Sequence, residues 1–327
     1  MKILVIGAGA VGGYFGGRLL QAGRDVSFLV RPRRAAELAK SGLVIKSPAG
    51  DATLPAPRTV SATSLNETFD LVLLSCKAYD LQDAIVSFAA AVGPETAVLP
   101  LLNGMRHLEV LESAFGGTKV LGGQCVISAT LDQNGAVIHS VPLHSITFGE
   151  RHGGITERIG AILSTLQGAL FEVAASERIL LEMWEKWVFL ASLAGSTTLM
   201  RATIGDVCTT SEGRSFVLDL IEECHRIAAL EGFQPRASLL EKIRTQLTQT
   251  SSPLTASMYR DMERNALIEA DHIIGDLLRR GLMHQGGDRD FPLLRLVYAN
   301  LKAYENKRAR AVSVPDQSKE GTKKNLT

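Results

Sequence analysis

Ile3-Leu4-Val5-Ile6-Gly7-Ala8-Gly9-Ala10-Val11-Gly12 is the stretch of this chain whose reading decides the fold. The apolar run at its start has the length and character of a buried strand, and residues 13–22 continue as a helix. Between them each glycine has a task. Gly7 permits a tight turn, Gly9 lets a pyrophosphate approach the backbone, and Gly12 lets the helix pack on the strand. Ala8, Ala10 and Val11 complete the turn, whose N–H groups and helix dipole favour phosphate. The stretch reads as a dinucleotide-binding strand, turn and helix.

Outward from it, short apolar runs at Ile3–Ile6, Val26–Val30, Leu71–Ser75, Ala97–Leu101 and Lys119–Ser128 alternate with helical patterns. Such alternation predicts a mostly parallel sheet covered by helices, a Rossmann-type α/β domain. Ala136–His139 and Ser145–Glu150, split by a turn at Pro142, are expected as added strands. A helix over 155–167 and a strand over 171–174 would close the domain.

The residue after the second strand selects the cofactor. An acidic group there binds ribose hydroxyls and repels a 2′-phosphate. Here the position carries Arg31, followed by Pro32, Arg33 and Arg34. A fork of guanidinium groups suits bidentate phosphate binding, which favours NADP (NADPH) over NAD. A solvated basic turn is the plainer alternative. Lys77 follows the third strand and Asn103 the fourth, at the carboxyl edge where ligands of open parallel sheets bind.

After residue 176 the texture becomes helical, with amphipathic spacing over 179–193, 211–231, 238–249 and 262–280. The expected organisation is a cofactor domain over 1–177, an all-helical domain over 178–307, and a disordered tail over 308–327. The chain of 327 residues, 46% of them apolar, is long enough for two cores. Its net charge of +1 argues against nucleic acid or a membrane surface as partner. Cys76, Cys125, Cys208 and Cys224 have no metal-ligand or disulfide spacing, so no metal is expected. No signal peptide or membrane span is read, which leads to a cytoplasmic expectation.

Lys186 interrupts the apolar face made by Ile179, Met183, Leu190 and Leu193. Partial burial there would lower its pKa and suit it to proton transfer, unless it snorkels out or pairs with Glu182. Read alone, Glu269 is a helix-flank carboxylate and Ser257 a helix N-cap.

Together these pieces resemble the ketopantoate reductase (2-dehydropantoate 2-reductase) family. The likeness lies in the glycine turn, CKAYD at 76–80, LLNGM at 101–105, WEKW at 184–187, SMYRD at 257–261 and IEADHIIGDLLRR at 268–280. The resemblance implies NADPH-dependent reduction of ketopantoate to D-pantoate, a step of pantothenate biosynthesis. It implies Lys186 as general acid and Glu269 as the catalytic carboxylate. Asn103, Ser257 and Lys77 are implied near the substrate, with Lys77 and Asn103 also against the cofactor. The partner is a small 2-keto acid, and a homodimer is compatible.

Leu190 and Ala194 depart from the family, which has asparagines at these positions. Another 2-keto or 3-keto acid reductase, or a non-catalytic NADP-binding sensor, therefore remains open. One geometric expectation follows. On a single straight helix Ser257 and Glu269 would lie about 18 Å apart, so a break or bend after about Asp261 is predicted if both are to touch one small substrate.

Overall fold

The computed structural model describes residues 1–285 and 290–313. The chain divides into two compact units between Trp187 and Val188. The division falls inside the helix that opens at Ile179, ten residues beyond the 177/178 boundary expected from the sequence.

The first unit opens with β1 (Lys2–Ile6), α1 (Ala10–Gln21), β2 (Asp25–Leu29) and α2 (Pro32–Ser41). It continues through β3 (Leu43–Lys46), β4 (Ala52–Leu54), β5 (Thr59–Val60), β6 (Leu71–Leu74), α3 (Leu81–Phe88) and β7 (Ala97–Pro100). Then come α4 (Arg106–Phe115), β8 (Gly122–Leu131), β9 (Val137–Gly149), α5 (Glu157–Leu166) and β10 (Glu172–Ala175). The last helix, α6, spans Ile179–Met200 and crosses into the second unit.

Five strands form an all-parallel sheet in the order β5-β2-β1-β6-β7. β1 is central, and Ile3, Leu4, Val5 and Ile6 are buried, as a run with no polar alternation requires when both faces are covered. This is the Rossmann-type arrangement expected from the sequence. α1 lays Tyr14, Phe15 and Leu19 into the same core.

A second sheet has the order β10-β9-β3-β4, with β8 antiparallel to β9. The strand expected at 119–128 is therefore divided: Val120 makes a parallel bridge to Val98 of β7, and the chain then continues as β8 over 122–131 in this second sheet. Pro142 makes no turn. β9 runs through it, and the β8–β9 register slips between Ile127 and Ala129, leaving residues 140–143 exposed. Proline cannot donate to a ladder but is tolerated at a bulge, where no partner is needed.

The second unit is helical, as expected. Beyond the end of α6 it contains α7 (Ile204–Cys208), α8 (Ser211–Leu230), α9 (Ala237–Leu247), α10 (Ser257–Glu263), α11 (Asp276–Gln285) and α12 (Pro292–Ser313). Leu220, Ile221, Cys224, Ile227, Leu294, Val297 and Leu301 are fully buried. Glu223 accepts from the N–H groups of Leu293 and Leu294 at 3.0 and 2.9 Å, satisfying the first turn of α12. Residues 308–313, expected in a tail, continue this helix, and residues 314–327 lie outside the described part. Among the described residues no helix is long and apolar enough to cross a membrane.

The predicted helix over 262–280 is broken. α10 ends at Glu263, Asn265 takes a left-handed φ of 52°, and residues 266–269 are not helical. Helical structure resumes at Ala270 with a π turn over Asp271–Gly275, which leads into α11. The apolar spacing reads through the break because both halves bury a face. Asparagine is among the few non-glycine residues that accept left-handed geometry at modest cost.

Candidate active site

The glycine turn follows β1 at the carboxyl edge of the parallel sheet. Gly7 has φ 89°, a conformation that glycine adopts without strain, and its N–H donates to Leu29 O at 2.9 Å. A Cβ on Gly12 would stand 2.2 Å from Gly7 O and 2.2 Å from Ser75 Oγ, so only glycine brings α1 this close to β1 and β6. Gly9, the N-cap of α1, has nothing within 4 Å of the place a Cβ would take. That open side, next to the free N–H groups of Ala10 and Val11, fits a pyrophosphate held by backbone and helix dipole. Ser75 Oγ donates to Ile6 O at 3.0 Å and ties β6 to the start of the turn.

Of the expected arginine fork, only part is available. Arg34 is turned inward, donating to Ala8 O at 3.0 Å and Gly135 O at 2.9 Å, so it holds the turn in place. No sequence pattern marks this, because the contact to Gly135 spans 101 residues. Arg33 is 93% exposed and pairs with Glu37. Arg31 is 75% exposed at the N-terminus of α2, pairing with Asp80 at 2.8 Å.

Lys77 is partly buried just after β6, and its carbonyl accepts from Asp80 N at 2.9 Å. Asn103, also partly buried, follows β7 and precedes Gly104, whose φ of 77° turns the chain. Both thus occupy the edge that carries the glycine turn.

Lys186 is brought to the same unit by α6. Its neighbours on the helix, Met183, Trp184 and Trp187, are buried, and the two indole rings lie 4.8 Å apart. Its ammonium donates to the main-chain oxygen of Cys125 on β8 at 2.6 Å. Glu182 does not take up the lysine; its carboxylate accepts from Ser176 Oγ at 2.7 Å. Burial lowers the Lys186 pKa, opposed by the neighbouring Cys125, while burial pushes the Cys125 thiol up. A lysine set in this way can release a proton more readily than a solvated one. The sequence reading missed Cys125, since a backbone acceptor 61 residues away leaves no local signal.

Ser257 and Glu269 belong to the second unit. Ser257 is exposed as the first residue of α10. Glu269 is partly buried in the last position before helical structure resumes, its carbonyl accepting from Ile273 N at 3.0 Å. The helix break expected after about Asp261 lies between them, at residues 264–269. Among the described residues no group of three or more His, Cys, Asp or Glu side chains could hold a metal ion.

Comparison with known proteins gives the same family. The model of "Ketopantoate reductase PanE/ApbA" matches residues 3–153, and that of its C-terminal domain matches residues 178–305. The chain is 40% identical over 305 residues to the uncharacterized oxidoreductase YkpB of Bacillus subtilis, covering 93% of this chain and 99% of that one. It is similar to the solved 2-dehydropantoate 2-reductase of Methylococcus capsulatus at 28% identity and a TM-score of 0.82, with 94% and 98% of the two chains covered. A ternary structure of D-mandelate dehydrogenase with NADH and anilino(oxo)acetate shares the fold, with a TM-score of 0.83 at 22% identity and coverage of 94% and 100%. On the glycine turn, the placement of Lys186 and these matches, the chain belongs to the ketopantoate reductase family and is an oxidoreductase of keto and CH–OH groups.

Proposed function

We propose that this protein reduces a 2-keto acid with NADPH, ketopantoate to D-pantoate being the first choice. The observation that carries the reading is Lys186: an ammonium among buried aromatic and apolar residues, held by one backbone carbonyl and, among the described residues, by no carboxylate. Gly7, Ala8, Gly9, Ala10, Val11 and Gly12 would hold the pyrophosphate, Arg31 a 2′-phosphate, and Lys77 and Asn103 the nicotinamide side. A reduced nicotinamide, when bound, supplies hydride for a ketone carbon.

This chain's own residues do the rest. As negative charge builds on the ketone oxygen, the Lys186 ammonium stabilises it and then delivers a proton from Nζ. Glu269 accepts a hydrogen bond from a substrate hydroxyl, and Ser257 and Asn103 orient the acid. The proton lost from Nζ is regained from solvent. The cofactor domain spans residues 1–177 and the catalytic helical domain begins at residue 178 in this reading.

Steady-state rates with ketopantoate and a panel of branched 2-keto acids, each with NADPH and NADH, test the proposal. Turnover of ketopantoate with NADPH is expected. Failure on ketopantoate with turnover of another acid rejects the substrate, and a strong NADH preference rejects the role of Arg31. The second reading, a different keto acid, is favoured by Leu190, an apolar residue one helical turn after Lys186.

A further inference from the structure

Arg31 follows β2 and Asp80 follows β6, and these are the two strands that flank β1. Their ion pair at 2.8 Å therefore links the loops on either side of the glycine turn, at the edge where a dinucleotide would lie. We propose that Asp80 is a specificity-determining residue for the cofactor, an anion that weakens the preference for a 2′-phosphorylated dinucleotide. The inference rests on reading residues 7–12 as the dinucleotide site.

Three observations support it. First, Asp80 is the dominant partner of Arg31: its hydrogen bond and charge raise the guanidinium pKa, with smaller help from Asp83 and Cys76. Second, Arg34 is committed to Ala8 O and Gly135 O, which leaves Arg31 and Arg33 of the basic turn exposed. Arg33 pairs within its own helix, with Glu37, whereas Arg31 just after β2 is tied to the loop after β6, so an acid on that loop acts on Arg31. Third, Arg31 remains 75% exposed while paired, so a ligand can reach it without unfolding anything.

A 2′-phosphate brought to Arg31 must share the guanidinium with Asp80 and sit close to its carboxylate. Like charges at that range repel, more so at low ionic strength. An unphosphorylated ribose meets no such penalty, because its hydroxyls can donate to a carboxylate. The chain thus combines an arginine suited to NADP with an acid that tempers it, the acid being supplied by the third βα loop of the sheet rather than by the end of β2.

Isothermal titration of the full chain with NADP⁺ and NAD⁺, at low and high salt, tests this on wild type, Asp80→Asn, Arg31→Ala and the double variant. Asp80→Asn should tighten NADP⁺ about two- to fivefold, the range of an exposed charge interaction, leaving NAD⁺ unchanged or weaker. The gain should shrink at high salt and in the Arg31→Ala background. Asp80→Ser should repeat it. An unchanged ratio, or weaker NADP⁺ binding by Asp80→Asn, overturns the proposal and makes Asp80 a support for Arg31. If wild type binds neither dinucleotide, the reading of the glycine turn itself fails.

Discussion

The Lys186 ammonium donates to the main-chain oxygen of Cys125 at 2.6 Å, a bond that joins α6 to the central part of β8. A backbone carbonyl is neutral, so it orients the ammonium without supplying the countercharge that would hold its pKa up. Burial is then free to lower that pKa.

Replacing Lys186 by alanine should cost about 10²–10⁴ in turnover, the usual worth of a positioned acid. Dinucleotide affinity should be retained. Single-turnover rates and titration of NADPH fluorescence measure the two separately. Retained turnover would remove Lys186 from the chemistry, and an intact biological output without turnover would favour a sensor.

The same lysine should make stability depend on pH. Its folded pKa is depressed, so between the folded and unfolded values the unfolded chain binds more protons and stability rises with pH. At neutral pH the buried charge is a net cost. Lys186→Met should therefore raise the unfolding midpoint at pH 7, a gain of about 0.5–2 kcal/mol in unfolding free energy, while abolishing turnover. A lower midpoint would count against a destabilising charge.

Gly9 and Gly12 should separate binding from folding. Gly9→Ala meets no protein atom, so stability should hold while dinucleotide affinity falls about tenfold or more, because the added methyl occupies the phosphate's approach. Gly12→Ala drives a Cβ into Gly7 O and Ser75 Oγ and should also lower stability by about 1–3 kcal/mol. Equal stability losses in the two variants would contradict this division.

Gly149, paired with Gly122 across β8 and β9, packs against the chain that enters α6. A Cβ on Gly149 would stand 2.1 Å from Ser176 O, and one on Gly122 2.6 Å from Ile179 Cγ2. Gly149→Ala should displace the start of α6, and with it Lys186. Expected are a loss of about 1–3 kcal/mol in stability and a fall in kcat with little change in dinucleotide affinity. Unchanged kcat would show that the helix start does not set the position of the lysine.

His144 offers a second pH test. Burial, His139 and Arg18 lower its pKa, opposed by Glu172, and its Nδ1 lies 2.5 Å from Tyr14 Oη. A depressed histidine stabilises the fold fully above its unfolded pKa, and that contribution is lost as pH falls through the folded value. Melting curves across the acidic range should show a smaller loss for His144→Gln than for wild type.

By itself the sequence determined the parts whose causes are local. The strand, the glycine turn and α1 follow from consecutive residues, and so does the placing of Arg31, because each geometric demand is met within a few positions. Helical spacing likewise identified Lys186 as a charge on an apolar face. Tertiary structure decided whatever depends on partners far along the chain: the second sheet around β9, the bulge at Pro142, and the inward turn of Arg34 onto Ala8. It also decided the acceptor of Lys186 and the meeting of Arg31 with Asp80. Burial periodicity could not reveal the break between Ser257 and Glu269, since two helices burying matching faces repeat the pattern of one. The left-handed backbone at Asn265 follows the end of the first of them, a conformation that asparagine accepts at modest cost but does not require, so its presence in the sequence does not by itself announce a break.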